Sequence, residues 1–321
     1  MCISIATTSH PDYPLILCSN RDEYFKRPTN PAQFRRLNDS VQILTPLDLA
    51  RPEHGTWIGV TTTGKIAVLV NYRDLDTEMT LCEVSRGVLP LSYLKSNLSD
   101  EEWREQLMSE VENNDNKIDI TKIGGFSLLY GHLKLDSQTQ KIEHLNILSN
   151  RGNYGKIFET VENGNIVESE YDDDGISEKT TFGLSNSLYN EPWKKVKMGE
   201  KLLNSLIETS IQKNYNQEKL VEECFKVMKT DTYDKTINEG KSFDTKILEL
   251  RNSIFIPPIK RNGPESNLLS IGDYYGTRTQ TIILLTKTGE LNYYERNLHM
   301  ADKPEVEKPL ITSCFKYNIW D

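Results

Sequence analysis

Little in this sequence would tie the protein to nucleic acid, to metal or to an oxidising compartment. Its 321 residues include five cysteines, Cys2, Cys18, Cys82, Cys224 and Cys314, odd in number and widely scattered. They make no CxxC pair, no CxxCH haem-attachment motif and no zinc spacing, which predicts free thiols in a reducing compartment. The histidines His10, His54, His132, His144 and His299 show neither HExxH nor paired spacing. No metal site is therefore expected, and none of them is marked as a haem axial ligand. Positive charge is short, with 38 Lys and Arg against 47 Asp and Glu and a net charge of −9. That balance argues against a broad nucleic-acid surface, which needs clustered basic side chains. It also means weak repulsion from anionic membranes, although a local basic patch could still allow peripheral contact. No run approaches the roughly 18 apolar residues of a membrane span. The opening stretch has no basic region ahead of its apolar residues, and Asp12 arrives early, so neither a secretory signal nor a transit peptide is predicted. The expected location is cytoplasmic. No internal repeat and no dividing linker is visible, so a single domain over 1–321 is the expectation.

What is present is a globular composition, 37% apolar and 26% charged, with enough length to bury a substantial core. Cys2–Thr8 and Leu15–Ser19 alternate as two strands about the His10–Pro14 turn, and Gly55–Val60 with Lys65–Tyr72 reads as a hairpin around Thr63-Gly64. Ser99 and Glu102 form a capping box ahead of Trp103, Leu107 and Val111 at helical spacing. Residues 126–135 and 140–148 return to strand character, and 171–175 read as a solvated acidic loop. Helices are predicted over 192–212, with Pro192 in the first turn, and over 217–228. The polar stretch 231–252 is expected to be a mobile excursion. A last hairpin, Thr279–Thr286 and Leu291–Arg296, precedes a strand over 314–319. Strands at both ends with helices between them predict an α+β fold.

Cys2 carries the chemical argument. Methionine excision is expected because the second residue is small, and it would leave one residue with both a thiol and a free amine. Their ordinary pKa values, roughly 8.5 and roughly 7.7–8.0, let the amine act as the thiol's own base. The alternative is a small residue opening a buried strand.

Asn20-Arg21-Asp22-Glu23 follows the returning strand. Further down come Gly55-Thr56-Trp57-Ile58-Gly59, Asn71-Tyr72, Asn150-Arg151-Gly152, Phe182-Gly183-Leu184-Ser185-Asn186, Pro192-Trp193 and Tyr275-Gly276-Thr277-Arg278-Thr279. By the number, order and spacing of these motifs the chain resembles the NRDE (transport and Golgi organisation, member two) family over about 1–299. That family in turn is similar to the cysteine-type N-terminal-nucleophile hydrolases, such as penicillin V acylases and bile-salt hydrolases. The resemblance implies a four-layer αββα sandwich of mostly antiparallel sheets. It also implies a site of Cys2, Asp22, Asn71, Asn186 and Arg278. Asp22 would hold the Cys2 ammonium, the two asparagines would donate to an oxyanion, and Arg278 would favour thiolate or orient an anion. Cys2 is accordingly expected to be the cysteine most sensitive to alkylation. One departure stands out: the acylases have an arginine where this chain has Ser19, and Arg21 and Glu23 should face away from Asn20 and Asp22.

The family resemblance further implies roles in Golgi organisation, protein secretion, and haem or lipid handling in the cytosol, at the Golgi or at mitochondria. No cofactor is required on that reading, with haem or acyl-CoA as the transported ligand. The alternative is an amide, ester or thioester hydrolase acting through Cys2. Taken singly, each site residue also has a structural reading: a turn cap for Asp22, left-handed positions for Asn71 and Asn186, an ion pair for Arg278.

Overall fold

The computed structural model describes residues 2–73, 83–109, 118–151, 154–156, 180–236, 239–261 and 271–320. In chain order the strands are β1 (Ile3–Thr7), β2 (Leu15–Tyr24), β3 (Thr29–Arg36), β4 (Gln42–Asp48), β5 (Ile58–Thr61), β6 (Lys65–Asn71) and β7 (Phe126–His132). They continue as β8 (Asn146–Ser149), β9 (Tyr154–Lys156), β10 (Thr181–Leu184), β11 (Ile259–Lys260), β12 (Tyr274–Leu285), β13 (Glu290–Asn297) and β14 (Thr312–Asn318). The helices are α1 (Val88–Lys95), α2 (Asp100–Met108), α3 (Lys194–Gln212), α4 (Gln217–Val227) and α5 (Phe243–Leu248). The fold is α+β with two antiparallel sheets, as the sequence predicted. Contacts group the chain into two compact units, Met1–Arg27 with Gln138–Lys141 and Glu178–Asp321, and Pro28–Ser137 with Ile142–Ser177.

In the first unit the strand order is β10-β1-β2-β12-β13-β14, with β11 also pairing β12. β1 and β2 meet in the register Ile3↔Asn20, Ile5↔Cys18. Ile3, Ile5, Ile16 and Cys18 are buried in one cluster with Val196, Leu203 and Ile207 of α3 and Leu220, Cys224 and Phe225 of α4. Each large aliphatic side chain so buried is worth about 1.5–3 kcal/mol. α3 forms because its apolar positions 196, 199, 203 and 207 recur at helical spacing and lie on one face. Gly199 brings that face close to the sheet, since a Cβ there would fall 2.1 Å from Ile5 Cδ1. The helix begins at Lys194 with Trp193 as its N-cap, so Pro192 stands ahead of the first turn rather than in it.

α4 is capped as its sequence predicts, the Asn216 side chain accepting from the Lys219 N–H at 2.9 Å. The stretch 231–252 is not simply an excursion. Ser242 caps α5, and Ile247 and Leu250 are buried against Tyr24 and Tyr275. Phe243 and Ile247 of α5, with Leu250 just after it, dock the segment, a signal lost among the polar residues around them.

In the second unit β3 to β9 form a meander in sequence order, every neighbour antiparallel. Its core joins Leu89, Tyr93 and Leu94 of α1 and Trp103 and Leu107 of α2 to Ala67, Leu69, Phe126, Leu128 and Tyr130 on the strands. Tyr93, Trp103 and Tyr130 meet edge to face, with ring centroids 5.2, 5.1 and 5.0 Å apart. The Ser99–Glu102 capping box is complete. Val111 and the acidic loop 171–175 lie outside the described residues. Asn150 ties this sheet together by accepting from the Phe126 N–H at 3.1 Å and donating to the Ile123 and Gly124 carbonyls at 3.2 and 3.3 Å.

Gly55 and Gly87 explain part of the Gly-Thr-Trp-Ile-Gly motif. A Cβ on Gly55 would lie 2.6 Å from Gly87 Cα, and the Thr56 N–H donates to the Gly87 carbonyl at 3.0 Å. Main chain touches main chain here, so a side chain cannot be accommodated by a rotamer change. Gly55→Ala is expected to destabilise the protein by about 1–3 kcal/mol, read as a lowered denaturant midpoint at unchanged slope. Gly240→Ala, where a Cβ would meet nothing within 4 Å, has no such overpacking, and its loss should be confined to the strain of a positive φ.

Candidate active site

The motif Asn20 to Glu23 lies in β2, where successive side chains point to opposite faces. Asn20 turns toward the helices, and its amide donates to the main-chain carbonyls of Met228 at 2.8 Å and Ile254 at 3.0 Å. Its oxygen accepts from Gln280 Nε2 at 3.1 Å. Met228 is the C-cap of α4, where carbonyls have no partner within the helix. Asn20 therefore binds the end of α4 to the sheet. Arg21 and Glu23 take the other face and approach each other to 3.8 Å, with Arg27 Nε 3.6 Å from the same carboxylate. This alternation is the one expected from the sequence.

Asp22 shares the Asn20 face and is completely buried. Thr277, its partner across the β2–β12 ladder, donates its hydroxyl to Asp22 Oδ1 at 2.7 Å, and the Ile256 N–H donates to that hydroxyl at 2.8 Å. The incoming N–H commits the Thr277 proton to Asp22, which fixes Oδ1 as an acceptor. The Tyr275 hydroxyl donates to the Asp22 main-chain carbonyl at 3.3 Å. From α3, Lys195 brings its Nζ to 3.9 Å from Asp22 Oδ2, its side chain as fully buried as the carboxylate. Burial pushes the Asp22 pKa up, while Lys195 and the Thr277 hydroxyl pull it down. Burial lowers the Lys195 pKa, and Asp22 and Cys2 oppose that.

Cys2 stands just ahead of β1 and is half-buried. Burial pushes its thiol pKa up and the Asp22 charge adds to this, whereas the positive charge at the start of the chain, the Asp22 main-chain N–H and Arg21 draw it down. The Ser185 hydroxyl donates to the Cys2 carbonyl at 2.8 Å. β1 and β10 pair with Ser4 opposite Leu184, and the Ser185 contact brings the segment after β10, with buried Asn186 next in the chain, up to Cys2. Gly183 permits this pairing under α3, since a Cβ there would lie 2.7 Å from Val196 Cγ1.

Three of the residues named from the sequence thus assemble in the first unit: Cys2, Asp22 and Asn186. Arg278 is at a bulge between Thr277 and Thr279. Its guanidinium donates to the main-chain carbonyls of His299 at 3.0 Å, Tyr24 at 3.5 Å and Arg27. That arrangement braces the turn after β2. Asn71 ends β6 in the second unit, exposed and opposite Phe126. Ser19, in place of the acylase arginine, donates to the Ile3 carbonyl at 3.3 Å.

Sequence reasoning missed Lys195, Thr277 and Tyr275. The signal for Lys195 was present: it precedes Gly199, Leu203 and Ile207 at intervals of four on the apolar stripe of α3, where a lysine is out of place. Among the described residues no group of three or more His, Cys, Asp or Glu is placed to hold a metal, and no helix is long and apolar enough to cross a membrane.

The class is an α+β protein of two antiparallel sheets, with a cysteine just ahead of β1 near a buried carboxylate that a buried lysine approaches. The chain belongs to the Transport and Golgi organisation 2 family, whose model matches residues 1–300. An uncharacterized protein of Saccharomyces cerevisiae is 31% identical over 98% of this chain and 96% of its own. The Homo sapiens Transport and Golgi organization protein 2 homolog is 28% identical over 91% of this chain and 88% of its own. Conjugated bile acid hydrolase from Clostridium perfringens (its C2A mutant) aligns over 99% of this chain and 98% of its own, at 11% identity and a TM-score of 0.35, a likeness too slight to carry weight.

Exposure points to a different order of thiol reactivity among the described cysteines. Cys314 is exposed on β14, Cys2 is half-buried with its thiol held up by burial, and Cys18 and Cys224 are fully buried. Alkylation tracks exposed thiolate. Limited iodoacetamide at neutral pH, followed by peptide mass spectrometry, is expected to label Cys314 before Cys2, with Cys18 and Cys224 protected until the protein unfolds.

Proposed function

We propose that the protein is an acyl-transfer hydrolase acting through Cys2 on an amide, ester or thioester, and that this chemistry serves a role in Golgi organisation and protein secretion. The observation that carries the reading is the fully buried Asp22 carboxylate beside Cys2, locked as an acceptor by Thr277. A buried carboxylate is costly unless it has a charge to hold. Removal of Met1 would place the chain's ammonium on Cys2 itself, a positive charge for Asp22 to hold in addition to Lys195.

In this mechanism the neutral form of the Cys2 amine takes the thiol proton as the sulfur attacks the substrate carbonyl carbon, and Asp22 holds the ammonium so formed. The new S–C bond leaves a negative oxygen, to which the Asn186 amide donates. The tetrahedral species collapses as the bond to the leaving group breaks, and the amine returns the proton to that group. Water, deprotonated by the same amine, then cleaves the acyl-thioester and restores the thiol.

The names of the mouse and human relatives, homologs of Transport and Golgi organization 2, support the trafficking half of the proposal. A carrier of haem or acyl-CoA is the alternative form of that role. Processed wild type is expected to turn over at least one member of an amide, ester and thioester panel, and Cys2→Ala to lose that turnover with binding retained. Turnover that survives Cys2→Ala, or a main species in intact-mass spectra that keeps Met1, would remove the enzymatic reading. Haem or acyl-CoA binding without any turnover would favour the carrier.

A further inference from the structure

Lys195 has no place in the chemistry set out above, yet it is the most anomalous side chain in the first unit. It is a lysine with no exposed side-chain surface, on the face of α3 that otherwise carries Val196, Gly199, Leu203 and Ile207. A solvated position was one residue away, since Lys194 is exposed. A lysine aimed into the core is tolerated when an opposite charge meets it, and Asp22 does so at 3.9 Å. The geometry is supported from both sides. Gly199 and Gly183 bring α3 close to β1 and β10, and Trp193 at the N-cap places its ring 5.8 Å from the ammonium.

We infer that Lys195 is a positioning residue of the Cys2 site: its buried ammonium keeps Asp22 a carboxylate, and Asp22 in turn holds the Cys2 amine. This rests on the active-site reading above. The groups acting on Asp22 come from every neighbouring element. Lys195 on α3 and the positive chain terminus favour its charge, as does the Thr277 hydroxyl on β12. Burial and Glu23 on its own strand oppose it. Burial raises the pKa of Tyr275 on β12 and of Cys2, and the Asp22 charge adds to that rise. Lys195 is the side-chain cation named above that lowers the Asp22 pKa. Burial already holds the Asp22 pKa above its usual value, and without Lys195 the rise would be larger, so the anchor for the Cys2 amine would turn into a neutral acid at a higher pH than in the wild type.

The sign of the test follows. In processed, carboxyl-labelled protein, the Asp22 signal, identified by its loss in Asp22→Asn, is followed by NMR against pH. Lys195→Met is expected to raise the Asp22 midpoint by about one to three pH units, the range for an opposite charge at this distance, while Lys195→Arg leaves it near wild type. In kinetics, the acid limb of kcat/KM moves to higher pH and kcat falls at least about tenfold, one unit of midpoint being a factor of ten, with KM little changed because Lys195 acts through Asp22. A lysine paired with Asp22 for structure alone would move the Asp22 midpoint but leave the kinetic pH profile where it was, and that outcome overturns the positioning role. Should Lys195→Met not fold, the reciprocal measurement stands in for it: the Lys195 amine, read in lysine-labelled Asp22→Asn, is expected to show a lowered midpoint. Turnover with an unmoved Asp22 midpoint in Lys195→Met, or an unmoved Lys195 midpoint in Asp22→Asn, overturns the inference alone. Wild type that shows no Cys2-dependent turnover overturns the active-site reading, whatever Asp22 does.

Discussion

Strand β2 is paired along both edges, with β1 on one side and β12 on the other, and nearly all of its ten residues are buried. An interior strand of this kind can carry polar side chains only if each has a partner within the protein. That constraint organises the first unit. Asn20 reaches the end of α4 and the Ile254 carbonyl, Asp22 takes Thr277 and Lys195, and Arg21 pairs with Glu23 on the reverse face. Four consecutive polar residues therefore specify where a helix end, a helix start and a neighbouring strand must lie. Their value lies less in net stability than in uniqueness, because a register slip of one residue would turn all four to the wrong faces.

The same constraint explains why Asp22 and Lys195 are costly. Two opposite charges removed from water seldom gain more than they lose, and an apolar pair of like volume would hold α3 on the sheet as well. The arrangement makes sense if the charge is used. Cys2, half-buried at the open end of β1, is the group within reach that could use it. Helix packing and site chemistry meet in one residue, since the glycine contacts that bring α3 close to the sheet also deliver Lys195 to Asp22. Membership of the Transport and Golgi organisation 2 family sets the biological frame, while the chemistry is carried by these few side chains.

Local signals in the sequence were read well. The first hairpin, the Ser99 capping box, the Asn216-capped helix and the C-terminal hairpin all follow from periodicity and capping residues within a few positions of one another. Strand alternation likewise separated Asn20 and Asp22 from Arg21 and Glu23 before any coordinates. The start of α3 was misplaced by two residues because proline is favoured both in a first helical turn and just before it. The docking of α5 was missed because its apolar residues are few and their partners, Tyr24 and Tyr275, lie far away in sequence.

By itself the sequence determined the α+β class, the strands at each end, the family, and the proximity of Cys2 to Asp22 across a short hairpin. It could do so because these depend on neighbours within a turn, a helix or one strand pair. Only the tertiary structure decided that Lys195 faces inward onto Asp22, that Thr277 donates to the carboxylate, and that Arg278 donates to main-chain carbonyls. Those outcomes depend on a bulge in β12 and on how closely α3 approaches β1. Such distances are set by packing between segments some 170 to 250 positions apart in the chain, and no local pattern encodes them.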